Sequence, residues 1–361
     1  MFDVRLDEIP LPGSERDLET LVSWLIDTLC LHRRRGETTA DGNRFSPIHR
    51  ILMDHLIPNP KIGINSKDLA DEMALTPAAI HHHLTRLTSG GLVSSSGGNS
   101  WRKHHLCGGN LLKAVDTMSQ RCMLIQKQRM EFLEQVWQRG DEIQMDMELP
   151  PDQTPALNIR VKEWGPISPQ ESELSRFMAD LGLLGERPGK EVSPDSISVK
   201  LFEMLLNSGP PISIDEAATN LDAPKPRVGR ILERFRATGL VERVARTDRL
   251  ATALWSAMNT QYLRRGEDWM LKRGGFERLD APNSIFKQLK KNKLTPEFIK
   301  EVFAKTPAQE QMLLLNLLGG RLALGYRLVG ESAGSALRKS QESLDRILRR
   351  IHRVATIIEQ S

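Results

Sequence analysis

Residues 64–93 recur downstream as residues 212–241, with apolar character kept at each matched position below and no gap between them. Ile64 falls on Ile212, Ala70 on Ala218, Met73 on Leu221 and Ile80 on Val228. Leu84 falls on Leu232, Leu87 on Phe235, and Gly91-Leu92-Val93 on Gly239-Leu240-Val241. A repeat of this kind is one supersecondary unit used twice, so each half of the chain is expected to carry a similar body. At 361 residues there is room for two or three compact units.

The unit reads as helices followed by a hairpin. Residues 46–57 form a short helix that Pro58-Asn59-Pro60 ends. Ser66 can cap a second helix over residues 67–73. Thr76-Pro77 opens a third, because a hydroxyl caps the free amides and a proline in the first turn has no amide to leave unpaired. That helix runs to Ser89 and stops at Gly90-Gly91. Residues 92–96 and 101–106 read as two strands around Gly97-Gly98-Asn99-Ser100. In the second copy the expected strands are 240–245 and 250–254, around Arg246-Thr247-Asp248-Arg249. Three helices and a hairpin follow the order of a winged helix-turn-helix domain.

The flanks divide the chain further. Ser14 opens an amphipathic helix over residues 14–31, and a basic, glycine-containing loop through Asn43 follows; residues 1–43 form this N-terminal segment. Residues 44–106 are the first winged unit and 196–256 the second. After the first, residues 107–147 form a long helix with Leu111, Val115, Met118, Cys122, Ile125, Phe132 and Val136 in steps of three and four, interrupted by Arg129. Residues 257–361 are a helical region whose last helix repeats the rhythm at Leu337, Leu344, Ile347, Ile351, Val354 and Ile358. Such a seam wants a partner helix, and a homodimer is expected to supply it, with packing inside one chain as the alternative. Residues 148–195 are proline-rich and acidic and read as a linker.

Charge is placed unevenly. Residues 223–249 hold eight Lys/Arg against Glu233, Glu242 and Asp248, and residues 76–106 hold Arg86, Arg102 and Lys103 with no carboxylate. Residues 140–195 carry twelve acidic and five basic side chains. Two short basic segments in a chain of net charge +4 are the footprint a nucleic acid requires.

A recognition helix buries one face and offers the other to base edges. In the first copy Ile80, Leu84 and Leu87 define the buried face, leaving Ala78, Ala79, His82, Thr85, Arg86 and Ser89 outward. In the second the outward positions include Arg227, Arg230 and Arg234. The wing candidates are Arg102 and Lys103 in the first copy, and Arg243, Arg246 and Arg249 in the second. These side chains form the expected DNA contacts.

The stretch Thr76-Pro77-Ala78-Ala79-Ile80-His81-His82-His83-Leu84-Thr85-Arg86-Leu87, followed by Gly90-Gly91-Leu92-Val93, resembles the recognition helix and exit of ArsR-like and MarR-like winged-helix regulators. The resemblance covers roughly residues 44–106, with a weaker echo at 197–254. It implies a winged helix-turn-helix fold and double-stranded DNA as partner, and it says nothing of an effector.

Other patterns point to chemistry less well. Three consecutive histidines, His81 to His83, diverge around a helix and cannot converge on one metal. His104, His105 and Cys107 lack the Cys-x-Cys of metal-sensing relatives, so no metal is expected. Gly330-Glu331-Ser332-Ala333-Gly334 matches a nucleophile elbow, but that motif needs a strand of a large parallel sheet before it and an acid and a histidine after it. The 27 residues that follow Gly334 read as nearly all one helix, with His352 inside it. No phosphate loop or dinucleotide loop occurs, and no enzyme activity or cofactor is expected. Cys30, Cys107 and Cys122 are read as reduced thiols. Residues 1–8 show no basic-then-apolar signal, and the cytoplasm is the expected location, with no membrane partner.

The fold class read from the sequence is mainly α with small β-hairpin wings: tandem winged helix-turn-helix domains plus long coiled-coil-like helices. The expected function is sequence-specific DNA binding in transcription regulation. The alternative is a winged-helix protein-interaction scaffold of a transcription or chromosome-organising complex.

Overall fold

The structure, a computed structural model, describes residues 1–13, 17–31, 46–97, 102–137, 149, 151–279 and 282–361. The first half runs β1 (Asp3–Asp7), α1 (Leu18–Thr28), α2 (Pro47–Arg50) with a π-helical continuation over Ile51–Leu56, β2 (Ile64–Asn65), α3 (Ser66–Met73), α4 (Pro77–Ser89), β3 (Val93–Ser96), β4 (Lys103–Leu106) and α5 (Leu111–Val136). The second half begins with β5 (Asn158–Lys162), α6 (Glu173–Asp180), α7 (Ile197–Asn207), α8 (Ile214–Asn220), α9 (Lys225–Ala237) and β6 (Val241–Ala245). It continues with α10 (Leu250–Lys272), α11 (Pro282–Lys290), α12 (Pro296–Val302), α13 (Ala308–Leu317), β7 (Leu324–Leu328) and α14 (Ala333–Gln360). The chain is mainly helical, and its small sheets are antiparallel.

Helix starts follow the capping chemistry, with shifts of a residue or so. Thr76 caps α4 as expected, its hydroxyl accepting from the Ala79 amide. Asn65 rather than Ser66 caps α3, because the Asn65 carboxamide reaches the amides of both Lys67 and Asp68. Asp17 caps α1; Ser14, the expected opener, lies outside the described residues.

The second hairpin is where the sequence reading departs most from the structure. In the first half β2, β4 and β3 form one sheet in that order, with Ile64 opposite His104 and Val93 opposite Leu106. In the second half β6 pairs with β7, far along the chain, with Val241 opposite Leu328 and Ile212 bridging to Tyr326. The strand order is therefore the same, but α10 to α13 are inserted where, in the first half, β4 follows β3 closely in sequence. Residues 250–254, read as a strand, open α10. Leu250, Leu254, Ala257 and Met258 recur at helical spacing and are buried in a core of the insert's own, which includes the mutually tilted Phe276 and Phe286 rings 5.2 Å apart.

The two halves are joined about an approximate two-fold axis. Residues 3–7 and 158–162 pair antiparallel with Arg5 opposite Arg160 at the centre. The ribbon closes symmetrically: the Glu8 amide donates to the Leu157 carbonyl at 2.8 Å, and the Glu163 amide to the Phe2 carbonyl at 2.9 Å. Helix α1 then packs on α14 of the other half, and α6 on α5, where Phe132 and Phe177 stand 5.4 Å apart. Helices α5 and α14 run antiparallel, since Leu111 meets Glu359, Asp116 meets His352, and Gln126 donates to Ser340 at 2.7 Å.

This arrangement answers two expectations. The seam residues Val115, Met118, Cys122 and Ile125 are buried with Leu344, Ile347, Ile351, Val354 and Ile358, so the partner helix lies inside the chain. Each such side chain contributes on the order of 1.5–3 kcal/mol through burial. The reason for expecting a homodimer is thereby removed. The supposed linker, residues 148–195, instead carries β5 and α6, both packed into the body. Its prolines flank these elements rather than forming a spacer.

The seam's interruption at Arg129 also has a cause. Arg129 is 1% exposed, and its guanidinium bonds Asp180 at 2.6 Å and the Lys162 carbonyl at 3.1 Å and lies over the Trp164 ring. Arg176 and Lys162 approach the same carboxylate at 3.3 and 3.5 Å. Burial pushes the Asp180 carboxyl up and the Arg129 guanidinium down from their ordinary values, and the charge of each opposes the shift of the other. The matching positions of the other half, Leu25 and Ile351, are apolar and buried.

Candidate nucleic-acid interface

Helices α4 and α9 occupy equivalent places in the two halves. Each buries one face, through Ile80, Leu84 and Leu87 in α4 and Val228, Leu232 and Phe235 in α9. Each is followed by a left-handed glycine under a residue of the central ribbon. A Cβ on Gly91 would meet the Phe2 ring at 2.9 Å, and one on Gly239 would meet Leu157 at 3.4 Å. The C-terminal ends of both helices are thus set against the two-fold ribbon.

On the outward face of α4, Ala78, His82 and Thr85 are exposed, whereas Ala79, Arg86 and Ser89 are half-buried. Arg86 is turned back, donating to the Leu31 carbonyl at 2.8 Å. His82, Thr85, Arg86 and Ser89 line a cleft that also contains Asp3, Asp7 and Glu186. The lower part of this face therefore lies beside charged groups of the protein itself, of both signs, and the upper part carries the small side chains of Ala78 and Ala79.

The corresponding face of α9 is more basic. Arg227 and Arg230 are exposed; Arg227 reaches Glu191 at 3.0 Å and Arg230 bonds the Pro226 carbonyl of its own helix. Lys225 pairs with Asp215 at 2.7 Å. Arg234 is half-buried beside Gly185, in the position Arg86 takes in the other half. Exposed pairs such as these are worth about 0–1 kcal/mol, so a phosphate can replace the carboxylate at little cost.

The hairpins differ. Arg102 and Lys103 are exposed at the start of β4, and residues 98–101 of the turn lie outside the described residues. The arginines of the second hairpin are engaged internally. Arg243 pairs with Asp152 and, at 3.5 Å, with Glu233. Arg246 is 4% exposed and held by Glu216 at 2.5 Å and Asp248 at 2.7 Å. Arg249 shares Glu216. These three were expected on a wing; because the chain enters α10 after Asp248, they sit at the root of the insert instead. The Glu216 carboxylate would be raised by burial alone, but the Ser213 amide and hydroxyl and Arg246 hold it below its usual range.

The remaining reactive patterns have local roles. His104 bonds Ser95 through Nδ1 at 3.1 Å, and Cys107 contacts the Ser94 hydroxyl at 3.0 Å. Among the described residues no group of three or more His, Cys, Asp or Glu could hold a metal ion. Ser332, of the elbow-like motif, caps α14 by accepting from Ser335. Among the described residues no helix is long and apolar enough to cross a membrane.

Sequence reasoning missed the ribbon, the insert and the Arg129–Asp180 pair. The ribbon had a signal: Asp3-Val4-Arg5-Leu6-Asp7 and Asn158-Ile159-Arg160-Val161-Lys162 share their alternation and their central arginine. No family of known proteins matches the chain, and searches of curated proteins and of solved structures likewise give no match.

Proposed function

We propose that the chain is a DNA-binding transcription regulator in which two winged helix-turn-helix units, built around α4 and α9, are fused into one two-fold body. The observation that carries this reading is the symmetric placement of α4 and α9 about the Arg5–Arg160 ribbon. A two-fold pair of recognition helices is the arrangement by which winged-helix dimers meet two half-sites of one operator. Here one chain supplies both halves, so no second copy is needed. The cytoplasm and the absence of a catalytic role remain part of this reading.

The two helices divide the work. Arg227 and Arg230 supply phosphate affinity that falls with salt, while the small and hydroxyl side chains of α4, Ala78 and Thr85, allow close approach and discrimination. Arg102 and Lys103 extend the first unit toward the backbone. Replacing Arg227 and Arg230 by Ala is expected to weaken binding to all sequences and to reduce its salt dependence. Unchanged affinity and salt dependence would contradict the assignment of α9.

A second reading is favoured by one observation: Arg243, Arg246 and Arg249 are spent on internal carboxylates, and the insert replaces a free wing. A protein-interaction scaffold needs no wing. Absence of any enriched fragment in a genomic selection, with all DNA binding equally weak, would favour it.

A further inference from the structure

We propose that the junction between the second unit and its insert is a binding site for a small phosphorylated polyol, of the size of a sugar monophosphate. A cleft of about 390 Å³ opens there between the start of α10 and the chain returning from α13. This is the volume of a small-metabolite site. It does not depend on the DNA reading.

The charge of the cleft selects an anion. Arg246, Arg249 and Arg321 line it against a single carboxylate, Glu216. Glu216 is already satisfied, one oxygen by Arg246 and the Ser213 amide and hydroxyl and the other by Arg249. The side chain of Arg249 is 51% exposed, and Arg321 is exposed with no ion-pair partner among the described residues. Arg321 is thus available outright to a tetrahedral dianion, which accepts from several donors at once, and the half-exposed Arg249 can add to it by turning from Glu216.

The opposite wall selects the body of the ligand. Thr252, Ser256 and Thr260 follow one another along one face of α10 and all line the cleft. Deeper in, Gln261 donates through Nε2 to the Leu318 carbonyl at 2.9 Å, which fixes its amide and leaves Oε1 buried with no partner. A buried acceptor of this kind costs free energy until a donor arrives. A hydroxyl group on the ligand is such a donor. Ala253, Ala257 and Leu318 leave little room for further charge.

The test is calorimetric titration of the full chain, without DNA, with a panel of pentose and hexose monophosphates. The free sugars and inorganic phosphate serve as controls. At least one sugar phosphate is expected to bind saturably, one per chain, tenfold or more tighter than inorganic phosphate or its parent sugar. Arg321→Ala and Thr252→Val are each expected to weaken it, the first by tenfold or more, with the thermal unfolding of the unliganded protein unchanged. No binding from the panel, binding no tighter than that of inorganic phosphate, or equal affinity in Arg321→Ala would overturn the assignment. Because the titration contains no DNA, its failure is separate from failure of the regulator reading.

Discussion

Arg5 and Arg160 face one another at the centre of the antiparallel ribbon, yet each finds its anchor in a carboxylate of the other half. Arg160 is held by the Asp3 carboxylate at 2.6 and 2.8 Å, and Arg5 by Glu186 at 3.0 Å. Two like charges placed opposite in a strand pair repel unless each is neutralised. The ribbon is therefore a clasp whose charges are balanced by residues from both halves.

Replacing Arg160 by Ala is expected to destabilise the protein by about 1–3 kcal/mol, the cost of stranding a part-buried carboxylate. Arg160→Lys should recover part of that loss. Denaturant unfolding followed by circular dichroism measures both, and equal midpoints for all three proteins would contradict the clasp.

The buried pair Arg129–Asp180 predicts a larger effect. Asp180→Asn leaves Arg129, Arg176 and Lys162 without their shared anion and should cost about 3–5 kcal/mol. Arg129→Leu combined with Asp180→Leu should cost less than the two single changes added together. A strictly additive double mutant would mean the two side chains do not act as a pair.

The seam of α5 and α14 is filled within the chain, so the protein is expected to run as a single chain by light scattering. Leu344→Ala should lower stability by about 2–5 kcal/mol without changing that mass. A stable dimer that dissociates in Leu344→Ala would show that the seam faces another copy.

Thiol chemistry reports the same packing. Burial pushes the Cys122 thiol up to about 12, so it carries almost no thiolate near neutral pH. Alkylation of the native protein at pH 8 should modify the half-buried Cys30 and Cys107 and spare Cys122. Labelling of Cys122 at a similar rate, read by peptide mass, would contradict the placement of the α5–α14 contact.

His104 gives the pH dependence of the first hairpin. Burial lowers its pKa from the ordinary 6.5, and His81, Arg102 and His105 lower it further. The unfolded chain thus binds this proton more readily than the folded one. Its contribution to stability is present above 6.5 and is lost as pH falls through that value to the folded-state pKa. Thermal unfolding between pH 7.5 and 5.5 should show a shallower loss in His104→Gln than in the parent protein; parallel losses would contradict it.

Much of this architecture was legible in the sequence. The repeat from Ile64 to Val93 and its second copy followed from apolar spacing alone, and Thr76-Pro77 and Gly90-Gly91 marked the ends of α4. The insert was not legible, because Leu240 to Ala245 gives no sign that its partner strand lies beyond Ala323. Nor was the fate of Arg243, Arg246 and Arg249, since a charge on a strand looks the same whether it meets solvent or a carboxylate. The apolar rhythm of α5 and α14 was legible, but periodicity does not say whether the facing helix belongs to another copy.

The most direct test of the two-fold reading is a footprint of one chain on an operator obtained by genomic-fragment selection, with the stoichiometry measured on the same duplex. The account predicts one chain per duplex protecting two half-sites on one face of the DNA, about 10 base pairs apart centre to centre. Arg227→Ala with Arg230→Ala should remove protection at one half-site first. Two chains per duplex, or a single protected half-site that survives the double mutant, would contradict it.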